Sequence, residues 1–120
     1  MKANELRIDN IVNYFYHETC LNGIVTSINK KSITVNHHAT IKIKSNNILP
    51  IPLTEEWLFD FGFEKMHDGN FWNKKLCIRK DRDLFYALYE QGRIYIQHVH
   101  KLQNLYLDFT DEELIKTDKK

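Results

Sequence analysis

Apolar residues in the first part of the chain come in short bursts separated by polar breaks. Ile11, Val12, Tyr14 and Phe15 are followed by Ile24, Val25 and Ile28, then Ile33 and Val35, then Ile41 and Ile43. Bursts this short and this rich in β-branched residues read as strands. In SITVN, Ile33 and Val35 share one face and Thr34 takes the other; in TIKIK the two isoleucines oppose Lys42 and Lys44. That alternation predicts an antiparallel sheet with one face buried and the lysines in water. Breaks at Asp9-Asn10, at 17–20, at Asn22-Gly23, at 29–32 and at 36–38 suit tight connections. The expected product over 1–53 is a small, curled β-barrel of SH3-like type.

A change of period marks the middle. In PIPLTEEWLFDFGF, Thr54 suits a helix N-cap, Glu55 and Glu56 fall in the first turn where the dipole favours anions, and Gly62 supplies a left-handed stop. Trp57, Leu58 and Phe61 would share one side, an amphipathic plug for a core. Beyond it, Asp68-Gly69 between apolar flanks is a strong hairpin signal. LCIRK, LFYALY and RIYIQHV follow, with DRD and EQG as turns, so a four-stranded antiparallel meander is expected. Leu102, Leu105, Tyr106 and Phe109 recur at helical spacing and predict a covering helix over 101–109, with Trp57 and Leu105 as core plugs. Thr110 to Glu113 has a capping-box pattern that would start a further helical turn. The fold class is therefore α+β: a β lobe at 1–53 and a helix-meander-helix lobe at 54–120, sharing one core.

Composition narrows the class. The 120 residues are 42% hydrophobic and 28% charged with few prolines and glycines, which describes a folded chain. Net charge is only +1, so any nucleic-acid surface has to be local. The charge is mildly polarised: residues 1–53 hold six Lys/Arg against three Asp/Glu, the remainder eleven against thirteen. Two cysteines, Cys20 and Cys77, lack CxxC spacing, and the N-terminal stretch lacks a signal-peptide apolar run. No stretch approaches the roughly 20 apolar residues of a membrane span. A cytoplasmic protein with free thiols and no membrane association is expected.

Three kinds of site compete. Six histidines raise the question of metal, and on a strand His98 and His100 would share a face; yet without Cys, Asp or Glu at short ligand spacing they read better as the end of a strand and the start of a helix. A metal-dependent enzyme using His98 and His100 stays as a second alternative, and no metal or other cofactor is expected. Cys20, three residues after His17, reads as a loop cysteine, and the acidic pairs at helix starts need no acid-base chemistry. No phosphate loop, HExxH or GxSxG occurs, so no catalytic residue is assigned. Lys30, Lys31, Lys42 and Lys44 form the nucleic-acid alternative, with Tyr14 or Tyr16 for stacking. The preferred reading is a protein-interaction module. Seven Phe, six Tyr and two Trp exceed what a core of this size hides, and Tyr86, Tyr89, Arg93 and Tyr95 are the expected binding residues, on a sheet that leaves the tyrosines at least half exposed. Self-association through a sheet face or edge fits the same features.

LRIDNIV, IPLTEEWLFDFGF and VHKLQNLYLDFTDEEL together resemble uncharacterised short proteins of phages, prophages and conjugative elements of Bacteroidota-type bacteria. The resemblance spans nearly the whole chain, although members usually carry Gly at the position of Asp9. It implies a mobile-element accessory protein inside a bacterial cell; the partner expected for the interaction reading is a host or phage protein, with self-association also open. It carries no functional residues.

Overall fold

The computed structural model describes residues 5–16, 19–29, 32–36, 40–44, 47–73, 75–89 and 92–116, with backbone alone for Tyr16, Thr40, Ile41 and Tyr89. It is α+β, with antiparallel strands in two five-stranded sheets and two helices. The chain clusters into two compact units, Met1–Ile51 and Pro52–Lys120. Among the described residues no helix is long and apolar enough to cross a membrane.

The first unit contains β1 (Ile11–Tyr16), β2 (Thr19–Ile28), β3 (Ser32–Asn36), β4 (Thr40–Lys44) and β5 (Ile48–Leu49), in the spatial order β4-β3-β2-β1-β5. The alternation in SITVN and TIKIK is realised: Ile33 pairs with Ile43 in a buried row, while Thr34 pairs with an exposed Lys42. Asn22-Gly23, expected as a turn, lies inside β2 instead, with Asn22 opposite Asn13 and Gly23 opposite Val12. A glycine there is demanded by packing, because a Cβ on Gly23 would stand 2.8 Å from Cε1 of Tyr14. Cys20 is likewise on β2, opposite Phe15, and not in a loop. The register shifts between Val25 and Ser27, a bulge that inserts Thr26. The extra residue changes the parity, so Val25 is buried and Ile28, three positions on, packs against the same cluster.

The turn before β1 is closed by Asn10. Its side-chain oxygen accepts the Arg7 N–H at 2.6 Å, while Asp9 N–H reaches the Val25 carbonyl at 2.8 Å. Asp9 adopts φ 77, the left-handed region that favours glycine.

The second unit opens with α1 (Glu55–Asp60). Thr54 accepts the Trp57 N–H, Gly62 takes φ 89, and the N–H groups of Gly62 and Phe63 return to the carbonyls of Phe59 and Leu58. This is a Schellman closure and leaves few helix-end groups unpaired. Leu58 is the fully buried residue of α1 and Phe61 follows it, whereas Trp57 is half-buried with Lys116 Nζ 5.1 Å from its ring centroid. The expected plug Trp57 is thus a flank, and Leu58 is the plug.

The meander has five strands where four were expected: β6 (Glu64–Lys65), β7 (Phe71–Trp72), β8 (Cys77–Asp81), β9 (Leu84–Tyr89) and β10 (Gly92–Ile96), in the order β10-β9-β8-β7-β6. The added strand is the other arm of the Asp68-Gly69 hairpin, in which Glu64 pairs with Trp72 and Lys65 with Phe71. Its polar sequence hid it, since two exposed residues show no alternation.

The final helix, α2 (Val99–Thr110), begins two residues earlier than expected and turns inward a face that keeps the expected Leu102 and Tyr106 but not Leu105 and Phe109. Val99, His100, Leu102, Gln103 and Tyr106 are buried, while Leu105 is half-buried and Phe109 is exposed. Leu105 is therefore not the plug; Leu102 is. Thr110 starts no further helix. Its hydroxyl donates to the Tyr106 carbonyl at 2.7 Å and accepts the Glu112 N–H at 3.2 Å, and Asp111 at φ 60 ends α2 in the left-handed conformation.

Candidate interaction surface

The alternation of β8, β9 and β10 separates two faces of the second sheet. Phe71, Ile78, Phe85, Ala87 and Ile96 are buried on one side. On the other, the register sets Arg79 opposite Tyr86, Tyr86 opposite Tyr95, Leu88 opposite Arg93 and Asp81 opposite Leu84. Of the residues expected to bind protein, Tyr86, Arg93 and Tyr95 are brought together on this outer face. The side chain of Tyr89 lies outside the described residues.

At its centre is a stack. The Arg93 guanidinium lies 4.4 Å from the centroid of the Tyr86 ring, and its Nη1 donates to Asp81 Oδ2 at 3.1 Å. The rings of Tyr86 and Tyr95 are 5.8 Å apart and tilted by 51°. A hydrogen bond with Tyr95, the electrostatic pull of Tyr86 and the Asp81 contact together raise the Arg93 pKa above the ordinary guanidinium value. The consequence corrects one expectation: Tyr86 is only 9% exposed, because Arg93 and Tyr95 cover it, and Tyr95 itself is 39% exposed rather than half. Tyr86 is a foundation and Tyr95 and Arg93 are the accessible groups. The pattern argument overlooked Leu84 and Leu88, which are 44% and 55% exposed on the same face. Their shared parity with Tyr86 in LFYALY was the signal that could have found them.

On the opposite face, Glu55 of α1 accepts from Lys80 Nζ at 2.9 Å and from Lys65 Nζ at 3.4 Å. These lysines lie over the rings of Phe85 and Phe71 respectively. The bond from Lys80 is the main reason that the Glu55 pKa is lowered, burial opposing it and Lys65 adding to it. Glu55 thus ties α1 to the sheet, which explains it structurally.

A cleft of about 560 Å³ lies in the same unit, lined by Phe61, Trp72 and Tyr106 and by the ion-paired Lys75 and Glu112. The other expected sites are dispersed. Lys30 and Lys31 lie outside the described residues, as do His17, His37 and His38; Lys42 and Lys44 are exposed on β4. Tyr14 is fully buried, so it is not available for stacking, and the Tyr16 side chain lies outside the described residues. His98 and His100 do not share a strand face: His98 sits at the N-cap position of α2 without a side-chain capping bond and His100 is buried in its first turn, their rings stacked 5.8 Å apart at 11°. Among the described residues no three His, Cys, Asp or Glu side chains gather as a metal-binding group. Cys20 is exposed and Cys77 half-buried, both free, and burial raises the Cys77 thiol pKa.

Comparison with family models, with curated proteins and with solved structures returned no match to this chain.

Proposed function

We propose that the protein is a non-catalytic accessory protein of a phage or related mobile element, acting in the host cytoplasm by presenting the outer face of its second sheet to a host or phage protein. The observation that carries this reading is the combination of exposed Leu84 and Leu88 with the Arg93 stack over Tyr86. Exposed apolar side chains beside a pre-positioned Arg and Tyr form the type of patch from which interface energy comes. Arg93 is already held by Asp81 and Tyr86, so little conformational freedom remains for it to lose on binding. The resemblance in LRIDNIV, IPLTEEWLFDFGF and VHKLQNLYLDFTDEEL supports the mobile-element setting.

An SH3-like barrel is the finer reading of the first unit. The order β4-β3-β2-β1-β5 is that of a meander whose last strand returns beside its first, and the bulge at Thr26 supplies the bend that curling requires. A helix-covered meander is the corresponding reading of the second unit. The nucleic-acid alternative keeps Lys42 and Lys44 but loses Tyr14 as a stacking platform, and few lysines neutralise few phosphates.

The test is capture from lysate of a bacterial host, comparing the parent with a Leu84→Ser, Leu88→Ser variant. Loss of a specific partner with an almost unchanged thermal midpoint supports the reading. A variant that stays folded and retains its partner overturns it.

A further inference from the structure

Each sheet ends in two edges, and the four are not protected alike. β4 carries Lys42 and Lys44 outward, β5 is two residues long, and β6 is two residues with both side chains, Glu64 and Lys65, exposed. Charged side chains and brevity are the ordinary means by which proteins keep edge strands from pairing with other chains. The fourth edge, β10, is five residues long and carries one charged side chain, Arg93, which is already paired with Asp81 on its own sheet. Its residues Ile94, Tyr95 and Ile96 have high β propensity, and it contains no proline or lysine.

The free part of that edge has definite limits. Gln97 already accepts the Leu53 N–H at 3.0 Å, and His98 forms a bridge with Pro52, so pairing is occupied from Gln97 onward. Among the described residues the open stretch is Gly92–Ile96, whose midpoint is Ile94. An antiparallel two-fold about Ile94 sets Ile94 against itself and, each twice by symmetry, Gly92 against Ile96 and Arg93 against Tyr95. Arg against Tyr is a favourable cation–π and cross-strand combination. Centring the pair on Arg93 would oppose two like charges, and centring it on Tyr95 would require the occupied Gln97.

We propose that β10 docks against β10 of a second copy of this chain, antiparallel about Ile94, joining two five-stranded sheets into one. This rests on the interaction role argued above and names a partner for the edge beside that face. An extended segment of another protein is the competing occupant.

Sedimentation equilibrium over a wide concentration range tests the register. The parent forms a dimer. Tyr95→Lys sets a lysine against Arg93 of the other copy, and Arg93→Glu removes the cation from Tyr95; each weakens the dimer by about tenfold or more. The double variant Arg93→Glu, Tyr95→Lys restores it through Glu-Lys pairs and makes it more salt-sensitive. Circular dichroism melts confirm that all four proteins are folded. A parent that is monomeric throughout, or that binds only an extended peptide as a monomer, overturns the proposal, as does a dimer indifferent to both single changes. Because Leu84 and Leu88 lie on β9 and contribute no backbone group to the free edge of β10, a monomer that still loses its captured partner in the Leu84→Ser, Leu88→Ser variant rejects self-pairing alone.

Discussion

The ring of Tyr14 passes over Gly23: a Cβ at Gly23 would lie 2.8 Å from Tyr14 Cε1 and 3.2 Å from Val35 Cβ. Both neighbours are fully buried. Gly23→Ala should therefore cost about 1–3 kcal/mol by overpacking, read from denaturant unfolding. Pairing it with Tyr14→Leu should recover part of that cost, because the two sites are coupled. A Gly23→Ala penalty unaffected by Tyr14→Leu would show that the strain lies elsewhere. The Tyr14 hydroxyl has no hydrogen-bond partner among the described residues. Tyr14→Phe should accordingly be neutral or stabilising within about 1 kcal/mol.

Asp9 holds φ 77 while its N–H bonds to Val25. Glycine adopts that conformation without a Cβ penalty. Both Asp9→Gly and Asp9→Ala remove the carboxylate, so their difference isolates the backbone. Asp9→Gly should be the more stable by about 1 kcal/mol in thermal unfolding. Equal midpoints would mean that the turn relaxes around alanine.

The lowered Glu55 pKa fixes the sign of a pH effect. A carboxylate whose pKa is depressed on folding stabilises above its unfolded pKa and loses that contribution as pH falls through the folded value. Glu55 is a third exposed, so solvent limits the effect to about 1 kcal/mol or less. Glu55→Gln should melt below the parent at about pH 7, and the gap should close toward about pH 3. A gap that persists at acid pH would assign the loss to packing instead of charge.

The inward face of α2 makes a sharp contrast between neighbouring leucines. Leu102→Ala and Leu58→Ala, at fully buried positions, should each cost about 2–5 kcal/mol. Leu105→Ala, half-buried, should cost clearly less than Leu102→Ala. Equal losses in urea unfolding would place Leu105 inward after all.

Where the deciding interaction is local, the sequence by itself determined the outcome. The alternation of Ile33, Val35 and Ile43 set the buried row of β3 and β4. Thr54 and Gly62 bounded α1 through bonds spanning three to five residues, and Asp68-Gly69 turned its hairpin with Gly69 at φ 88. Tertiary structure decided the rest. Asn22-Gly23 looks like a turn in one dimension, and only the ring of Tyr14 on the neighbouring strand makes glycine a mid-strand requirement. In α2, apolar spacing predicted a stripe of Leu102, Leu105, Tyr106 and Phe109, of which Leu102 and Tyr106 are buried, but burial otherwise follows Val99, His100 and Gln103 in place of Leu105 and Phe109. A helix face is chosen by what the whole sheet presents to it, and hydropathy along one segment carries no record of that partner. The candidate surface divides in the same way. Spacing along β10 put Arg93 and Tyr95 on one face of that strand, but their meeting with Tyr86, the stack that buries it and the exposure of Leu84 and Leu88 arise only when β8, β9 and β10 lie side by side.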